Sequence, residues 1–212
     1  MSKVQVDTID TRSGTSTMQI GSTNTSTINI GVSGDTVNIP SGVTIANAGT
    51  ATGFGGTNDN LFLAYRNGNQ TINHGTVTKV QLNAENFDVN SKFDSSTNYR
   101  YTPASTGYYY LSATVNFTPN DSGSDRLRRG YLHIYKNGST LVRSNLKYLD
   151  GGDPIIRDLT LTINTIDNST SASDYYEVYA EADNPNGANN CAIQGGTNYS
   201  YFTGYKLITW AP

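Results

Sequence analysis

Apolar positions fall in two distinct patterns along the chain. Over residues 1–50 a short apolar-polar-apolar unit recurs: Met18-Gln19-Ile20, Ile28-Asn29-Ile30, Val37-Asn38-Ile39 and Val43-Thr44-Ile45. That is the period of a strand. Gly21, Gly31 and Pro40 close three of the four units, with turn residues between them. The spacing is about ten residues at first and shortens later, so the repeat is imperfect. Each unit offers about two apolar side chains, too few to fold alone; such repeats gain stability by stacking, or by wrapping around copies from other chains. The competing reading is an unstructured Ser/Thr/Gly linker, against which the regular Ile/Val placement argues. Residues 51–60 are glycine-rich and read as a flexible hinge.

From Leu61 to the C-terminus the chain alternates apolar and polar residues in short runs. Strands are predicted near 61–66, 76–82, 87–89, 99–101, 107–117, 130–136, 140–148, 155–165, 175–182 and 200–209, separated by turn signals. The sharpest of these signals is Lys136-Asn137-Gly138, because Asn-Gly tolerates the positive φ of a type I′ hairpin turn. Asp150-Gly151-Gly152-Asp153-Pro154 and Asn184-Pro185-Asn186-Gly187 read as loops. Many short strands predict an all-β sandwich or jelly roll over residues 61–212. Several strands are apolar on both faces. Tyr108 and Tyr110 point one way and Tyr109 and Leu111 the other. A sandwich buries only one face of a strand, so a second copy of the chain is the economical cover for the other.

Composition narrows the function classes. Charged residues are 15% of the chain, below the usual quarter or so, and Gly (21) and Tyr (15) are abundant. The net charge is −3, from 14 basic and 17 acidic side chains, so nothing draws a phosphate backbone and nucleic acid is not an expected partner. The basic cluster Arg126, Arg128 and Arg129 sits beside Asp121 and Asp125 and reads as a solvated loop. No segment approaches the roughly 18 apolar residues of a membrane span, and no apolar signal region follows Met1. The single cysteine, Cys191, excludes an intrachain disulfide and reads as a small buried group. Asn-x-Ser/Thr triplets at Asn69, Asn137, Asn168 and Asn198 read as turn chemistry.

The turn Tyr101-Thr102-Pro103-Ala104-Ser105-Thr106-Gly107, feeding straight into Tyr108-Tyr109-Tyr110-Leu111, resembles the central motif of the C1q-like (TNF-like) jelly roll. Other segments resemble that family in its order: Phe62-Leu63-Ala64-Tyr65-Arg66, Phe87-Asp88-Val89-Asn90 with Phe93-Asp94, Leu132-His133-Ile134-Tyr135-Lys136-Asn137-Gly138, Asp174-Tyr175-Tyr176-Glu177-Val178, and the closing Tyr201-Phe202-Thr203-Gly204-Tyr205-Lys206-Leu207. The resemblance covers about residues 61–209 and implies a homotrimer that works by binding and does not catalyse. No collagen repeat precedes it. The N-terminal repeat instead resembles the intertwined β-structured stalks of bacteriophage tail fibres and spikes, and the opening Val6-Asp7-Thr8-Ile9-Asp10-Thr11-Arg12-Ser13-Gly14 is similar to segments common in marine phage fibre proteins.

Together these resemblances imply a trimeric virion protein located on the tail or capsid surface. A stalk over residues 1–50 would dock to another virion protein. A head over residues 61–212 would bind a host-surface glycan or protein. A capsid decoration or head fibre without receptor binding, and a bacterial secreted adhesin, are the alternatives. Strand alternation places the loops 118–129, 148–155 and 183–199 at one end of the head. The last is rich in amides: Asn184, Asn186, Asn189, Asn190, Gln194 and Asn198, with Tyr199, could hydrogen-bond and stack on a sugar. Asp150 and Asp153, with Asp121, Asp125 and Asp183, could supply oxygens to calcium, although no ordered Asp-x-Asp loop is present. His74 and His133 lie in different segments, with His133 read as packing between Tyr131 and Tyr135. No catalytic constellation is legible and no enzyme is expected.

Overall fold

The computed structural model describes residues 20–21, 23–46, 60–120, 126–147, 157–184 and 191–207. The chain divides into two compact units, Met1–Thr52 and Gly53–Pro212.

In the first unit the described residues contain turns at 23–24, 33–34 and 41–42 and no strand or helix. Asp35 organises one turn: its carboxylate accepts the Val32 N–H at 2.9 Å while its own N–H donates to the Val32 carbonyl at 3.0 Å. The strand pairing expected at 28–30 and 37–39 is absent among these residues. A strand exists only through a neighbour's hydrogen bonds, and these units find no strand partner among the described residues. The Ile and Val side chains of the repeat are accordingly bare, from Ile39 at 44% exposed to Ile30 at 69%.

The second unit is all-β among its described residues. Its strands are β1 (Leu61–Tyr65), β2 (Gln70–Ile72), β3 (Thr78–Lys79), β4 (Ala84–Asp88), β5 (Phe93–Asp94), β6 (Arg100–Tyr101), β7 (Gly107–Pro119), β8 (Arg129–Lys136), β9 (Ser139–Lys147), β10 (Leu159–Ser169), β11 (Tyr176–Asp183), β12 (Cys191–Ile193) and β13 (Tyr201–Lys206). All pairings are antiparallel. One sheet runs β2-β12-β7-β13-β1-β4, with β10 on the other side of β7; the other runs β5-β6-β11-β8-β9, with β3 also on β11. Two sheets closing face to face on one core make the jelly-roll sandwich that the sequence implies.

The long β7 is the spine. β10 pairs with it along its whole length, from Ser169 opposite Gly107 to Leu159 opposite Phe117. Its other edge is shared by β13 and then β12. Tyr109, Leu111, Ala113, Val115 and Phe117 point inward and are fully buried. They meet Leu132 and Ile134 of β8 and Tyr176, Val178 and Ala180 of β11 in one core. An aromatic knot closes one end: Phe62 stacks on Tyr101 at 4.2 Å between ring centres and meets Phe202 edge-on at 5.0 Å.

The Pro-Ser-Gly turn before β7 is held by β7 and β13. The Tyr109 hydroxyl donates to the Ser105 carbonyl at 2.7 Å, and Lys206 donates to the Ser105 hydroxyl at 2.8 Å. Gly107 adopts φ 136°, which a side chain disfavours.

The Asn137-Gly138 turn forms as predicted, with φ of 53° and 78°. Asn137 also locks the loop before β11: its amide accepts the Tyr175 N–H at 3.0 Å and donates to Asp174 at 2.9 Å. The Asn137 bond, together with the Ser171 and Thr170 N–H groups and nearby Lys136, holds the Asp174 carboxyl down at about 2. Burial alone would lower the Lys136 ammonium, but Asp167 at 2.7 Å and Asp174 at 3.5 Å more than offset this and raise it. The phenol of Tyr176 is raised, first by burial and then by its bond to Asp167 at 2.6 Å.

Several strands differ from the alternation reading. β10 reaches Ser169, beyond the predicted 165, because every residue of it has a partner on β7. β2 escapes the pattern because Gln70 occupies a buried position, with its amide spent on the Lys79 carbonyl and the Gln81 N–H. β12 lies inside what reads as the loop 183–199; Cys191, Ala192 and Ile193 are all buried there.

Candidate interaction surfaces

The strand ends that flank the three long loops lie together, since Asp183 pairs with Arg129, Arg129 with Lys147, Leu159 with Phe117 and Cys191 with Pro119. At this end Asp183 is the centre of an ion cluster. Its carboxylate lies 2.7 Å from Arg128, 3.2 Å from Arg129 and 2.9 Å from Nδ1 of His74. Arg129 also meets Glu181 at 3.0 Å. Asp183 is 1% exposed and flanked by the Arg128 and Arg129 guanidiniums, so it belongs to a clamp between β8, β11 and the turn after β2 and is unsuited to hold a calcium ion.

The amide residues expected to contact a sugar separate into three groups. Asn184 is buried, and its N–H donates to Nδ1 of His74 at 3.0 Å; its place beside the Asp183 clamp removes it from any surface site. Gln194 is half-buried, its N–H donating to the Asn116 carbonyl at 2.9 Å. Asn198 and Tyr199 are exposed on a tight turn in which the Gly196 N–H donates to the Arg66 carbonyl at 2.7 Å and the Tyr199 N–H to the Gly196 carbonyl at 3.0 Å. Asn198 borders an open hollow of about 410 Å³ with Leu63, Thr197 and Tyr201. Asn186, Asn189 and Asn190, and the calcium candidates Asp150, Asp153, Asp121 and Asp125, lie outside the described residues. Among the described residues no three His, Cys, Asp or Glu side chains are grouped to hold a metal.

The outward face of the β7 sheet carries a feature that the loop reading passed over. Cross-strand register aligns Ile166 of β10, Tyr110 of β7, Tyr205 of β13 and Leu61 of β1 in one row, and Val89 follows by donating its N–H to the Leu61 carbonyl. The Tyr110 and Tyr205 rings lie 5.3 Å apart. Ile166 is 59% exposed, Val89 54% and Tyr205 41%, with Tyr108 (47%) and Phe87 (43%) alongside. Farther along, the same face turns polar: Thr114 and Thr162 share a hydroxyl contact at 2.9 Å, and Asn116 donates to Thr160 at 2.8 Å. The row crosses five chain segments and leaves Ile166, Val89 and Tyr205 exposed on this face.

The outward face of the other sheet is aromatic. Tyr135 of β8 stacks on Tyr179 of β11 at 4.2 Å, and Arg129 and Arg143 both lie 5.5 Å from the centre of the Tyr131 ring. The sequence signal for this surface was the alternation Tyr131, His133, Tyr135, which was read as packing.

Solved structures share this architecture. The Eiger TNF structure from S. frugiperda matches with a TM-score of 0.52 over 72% of this chain and 94% of its own, at 11% identity. Murine APRIL matches over 69% of this chain and 99% of its own, at 13% identity and a TM-score of 0.49. At 11% identity the likeness to the Eiger TNF structure is one of fold: the second unit is a TNF-like jelly roll. No protein-family model matches the sequence, and a search of characterised proteins finds no match.

Proposed function

We propose that the chain is a homotrimeric virion attachment protein, a phage tail fibre or spike whose jelly-roll head binds a host-surface receptor, a glycan in the first instance. The observation that carries this reading is the pair of uncovered apolar surfaces: the row Ile166–Tyr110–Tyr205–Leu61 on the head and the bare Ile and Val side chains of the N-terminal repeat. Leaving either in water is unfavourable, at about 25 cal/mol per Å² of apolar area. Association of identical chains through both would remove that cost. Three is the number that the C1q-like resemblance implies. Three heads on one stalk turn weak sites into useful avidity, about 10²–10⁴-fold where geometry lets them engage together.

The TNF-like fold supports a role in binding and gives no support to catalysis. In this reading the N-terminal segment docks to another virion protein, and the exposed Asn198-Tyr199 turn remains a receptor candidate. Of the calcium candidates, only the carboxylates outside the described residues stay in this reading.

The test is immunogold electron microscopy of source particles with antibody against residues 61–212, paired with binding of the labelled full-length protein to host cells. Label at tail tips or fibres, with cell binding, is the expected result. Label spread over the capsid without cell binding would replace this reading with a decoration protein. Label on no particle would move the chain to a bacterial surface adhesin.

A further inference from the structure

His133 sits at the middle of β8, opposite Tyr179 of β11 on one side and Arg143 of β9 on the other. Its neighbours Leu132 and Ile134 fill the core, so its ring stands on the outward face of the sheet. It is only 6% exposed even so. Tyr135 meets it edge-on at 5.7 Å and Tyr131 lies at 6.4 Å. Neither ring nitrogen has a hydrogen-bond partner. A neutral imidazole carries one donor and one acceptor, and a buried polar side chain with both unused is unusual. Burial, and then the nearby Arg143 charge, disfavour its protonated form.

Arg143 stands cross-strand from His133 and is the charged neighbour of that ring. It is exposed on the edge strand β9, lies against the Tyr131 ring, and makes no ion pair among the described residues. The carboxylates of this face are otherwise engaged: Glu177 holds Lys79 at 2.6 Å and Glu181 holds Arg129 at 3.0 Å. The face therefore combines three tyrosine rings, one uncommitted guanidinium, and beside it an imidazole with a free donor and a free acceptor. An aliphatic partner would leave both nitrogens unsatisfied. A sugar carries an apolar C–H face for the rings and hydroxyls that both donate and accept, and a carboxylate on it would match Arg143.

We propose that the outward face of this sheet is a saccharide site selecting a carboxylate-bearing sugar, with Tyr131 and the Tyr135–Tyr179 pair as stacking platform, Arg143 on the carboxylate, and His133 uncovered to bond the hydroxyls as Arg143 turns to the ligand. This rests on the reading of the head as a glycan-binding domain. It moves the principal contact from the Asn198-Tyr199 turn to a sheet face.

The experiment uses full-length protein on an array of uronic-acid oligosaccharides, their carboxyl-reduced counterparts and neutral glycans, followed by titration calorimetry on retained glycans. The expected result is retention of uronic-acid glycans, with binding about tenfold weaker after carboxyl reduction and about tenfold weaker in Arg143→Gln. The two losses should not add, because both remove the same pair. Arg143 is exposed, so the variant should keep the wild-type melting temperature, and the His133 imidazole resonances should shift on adding glycan.

Equal binding of reduced and native glycans would overturn the proposal. So would retention of only neutral glycans, or a loss confined to Asn198→Ala while Arg143→Gln binds normally; these results would leave a glycan-binding head with its site elsewhere. If no glycan is retained, the proposal fails. Host-cell binding of the same labelled protein then decides the wider reading: cells still bound means a protein receptor, and cells not bound means that the attachment role fails too.

Discussion

Gly204 shows how one residue ties a sequence motif to the sandwich. It lies within the Phe202-Thr203-Gly204-Tyr205 run of β13, opposite Leu111 on β7. A Cβ there would stand 2.8 Å from Leu111 Cδ2, 2.9 Å from the Tyr110 carbonyl oxygen and 3.0 Å from a Phe62 ring carbon. The oxygen belongs to the sheet ladder and cannot retreat, so the glycine is a packing requirement. Gly204→Ala is expected to destabilise the second unit by about 1–3 kcal/mol, read as a lower urea midpoint with unchanged slope. The motif was legible in the sequence. Its reason was not, since the three atoms that forbid a side chain come from residues some 90 to 140 positions away.

At the scale of elements, the β8–β9 hairpin joins local turn chemistry to a long-range lock. Asn137-Gly138 specifies the turn by itself, and the structure adds the bonds from Asn137 to Asp174 and to the Tyr175 N–H. Asp174 has a folded-state value of about 2, below the ordinary 3.8. The folded state therefore binds its proton less readily than the unfolded chain, and the resulting stabilisation is complete above about pH 4 and fades as pH falls toward 2. Asp174→Asn is accordingly expected to be less stable than wild type at pH 7. The gap between the two should narrow as denaturant melts are repeated from pH 5 down to pH 2. A gap constant over that range would mean that the Asp174 charge contributes nothing to the lock. Elements whose information is local, such as this turn, were read correctly. β12 was not, because three apolar residues amid asparagines become a strand only through β2 and β7.

For the whole molecule, the question is what covers the outward row on the β7 sheet. Ile166 is 59% exposed in the single chain, and its replacement removes little from the core. Ile166→Asp should leave the monomer's melt nearly unchanged, within about 0.5 kcal/mol, as for surface positions generally. Placed in a proposed trimer interface, the new charge is desolvated beside Tyr110 and Tyr205 of its own chain and should dissociate the assembly. Sedimentation equilibrium checks this directly: trimer for wild type and monomer for the variant is the expected pair. Wild-type monomer at all concentrations would remove the self-association reading of this face. A stable trimer in both would place the contact elsewhere.

The sequence by itself determined that the second unit is an antiparallel β-sandwich, where most of its strands and its sharpest turn lie, and that several strands are apolar on both sides. These follow from period-two alternation and from the backbone preferences of Asn, Gly and Pro, which act within a few residues. Only the tertiary structure decided which side faces inward. Tyr109 and Leu111 go to the core while Tyr108 and Tyr110 go to the outer face, a choice that alternation leaves open because both sets are apolar. It also withdrew Asn184 and Asp183 into a clamp, left Asn198 and Tyr199 on the surface, and set His133 between Tyr131 and Tyr135, cross-strand from Arg143, without a partner for either nitrogen. Composition names the groups available to a ligand. Whether a given side chain is spent on its own fold or offered to another molecule depends on neighbours brought together from distant segments, and those neighbours exist only once both sheets have closed.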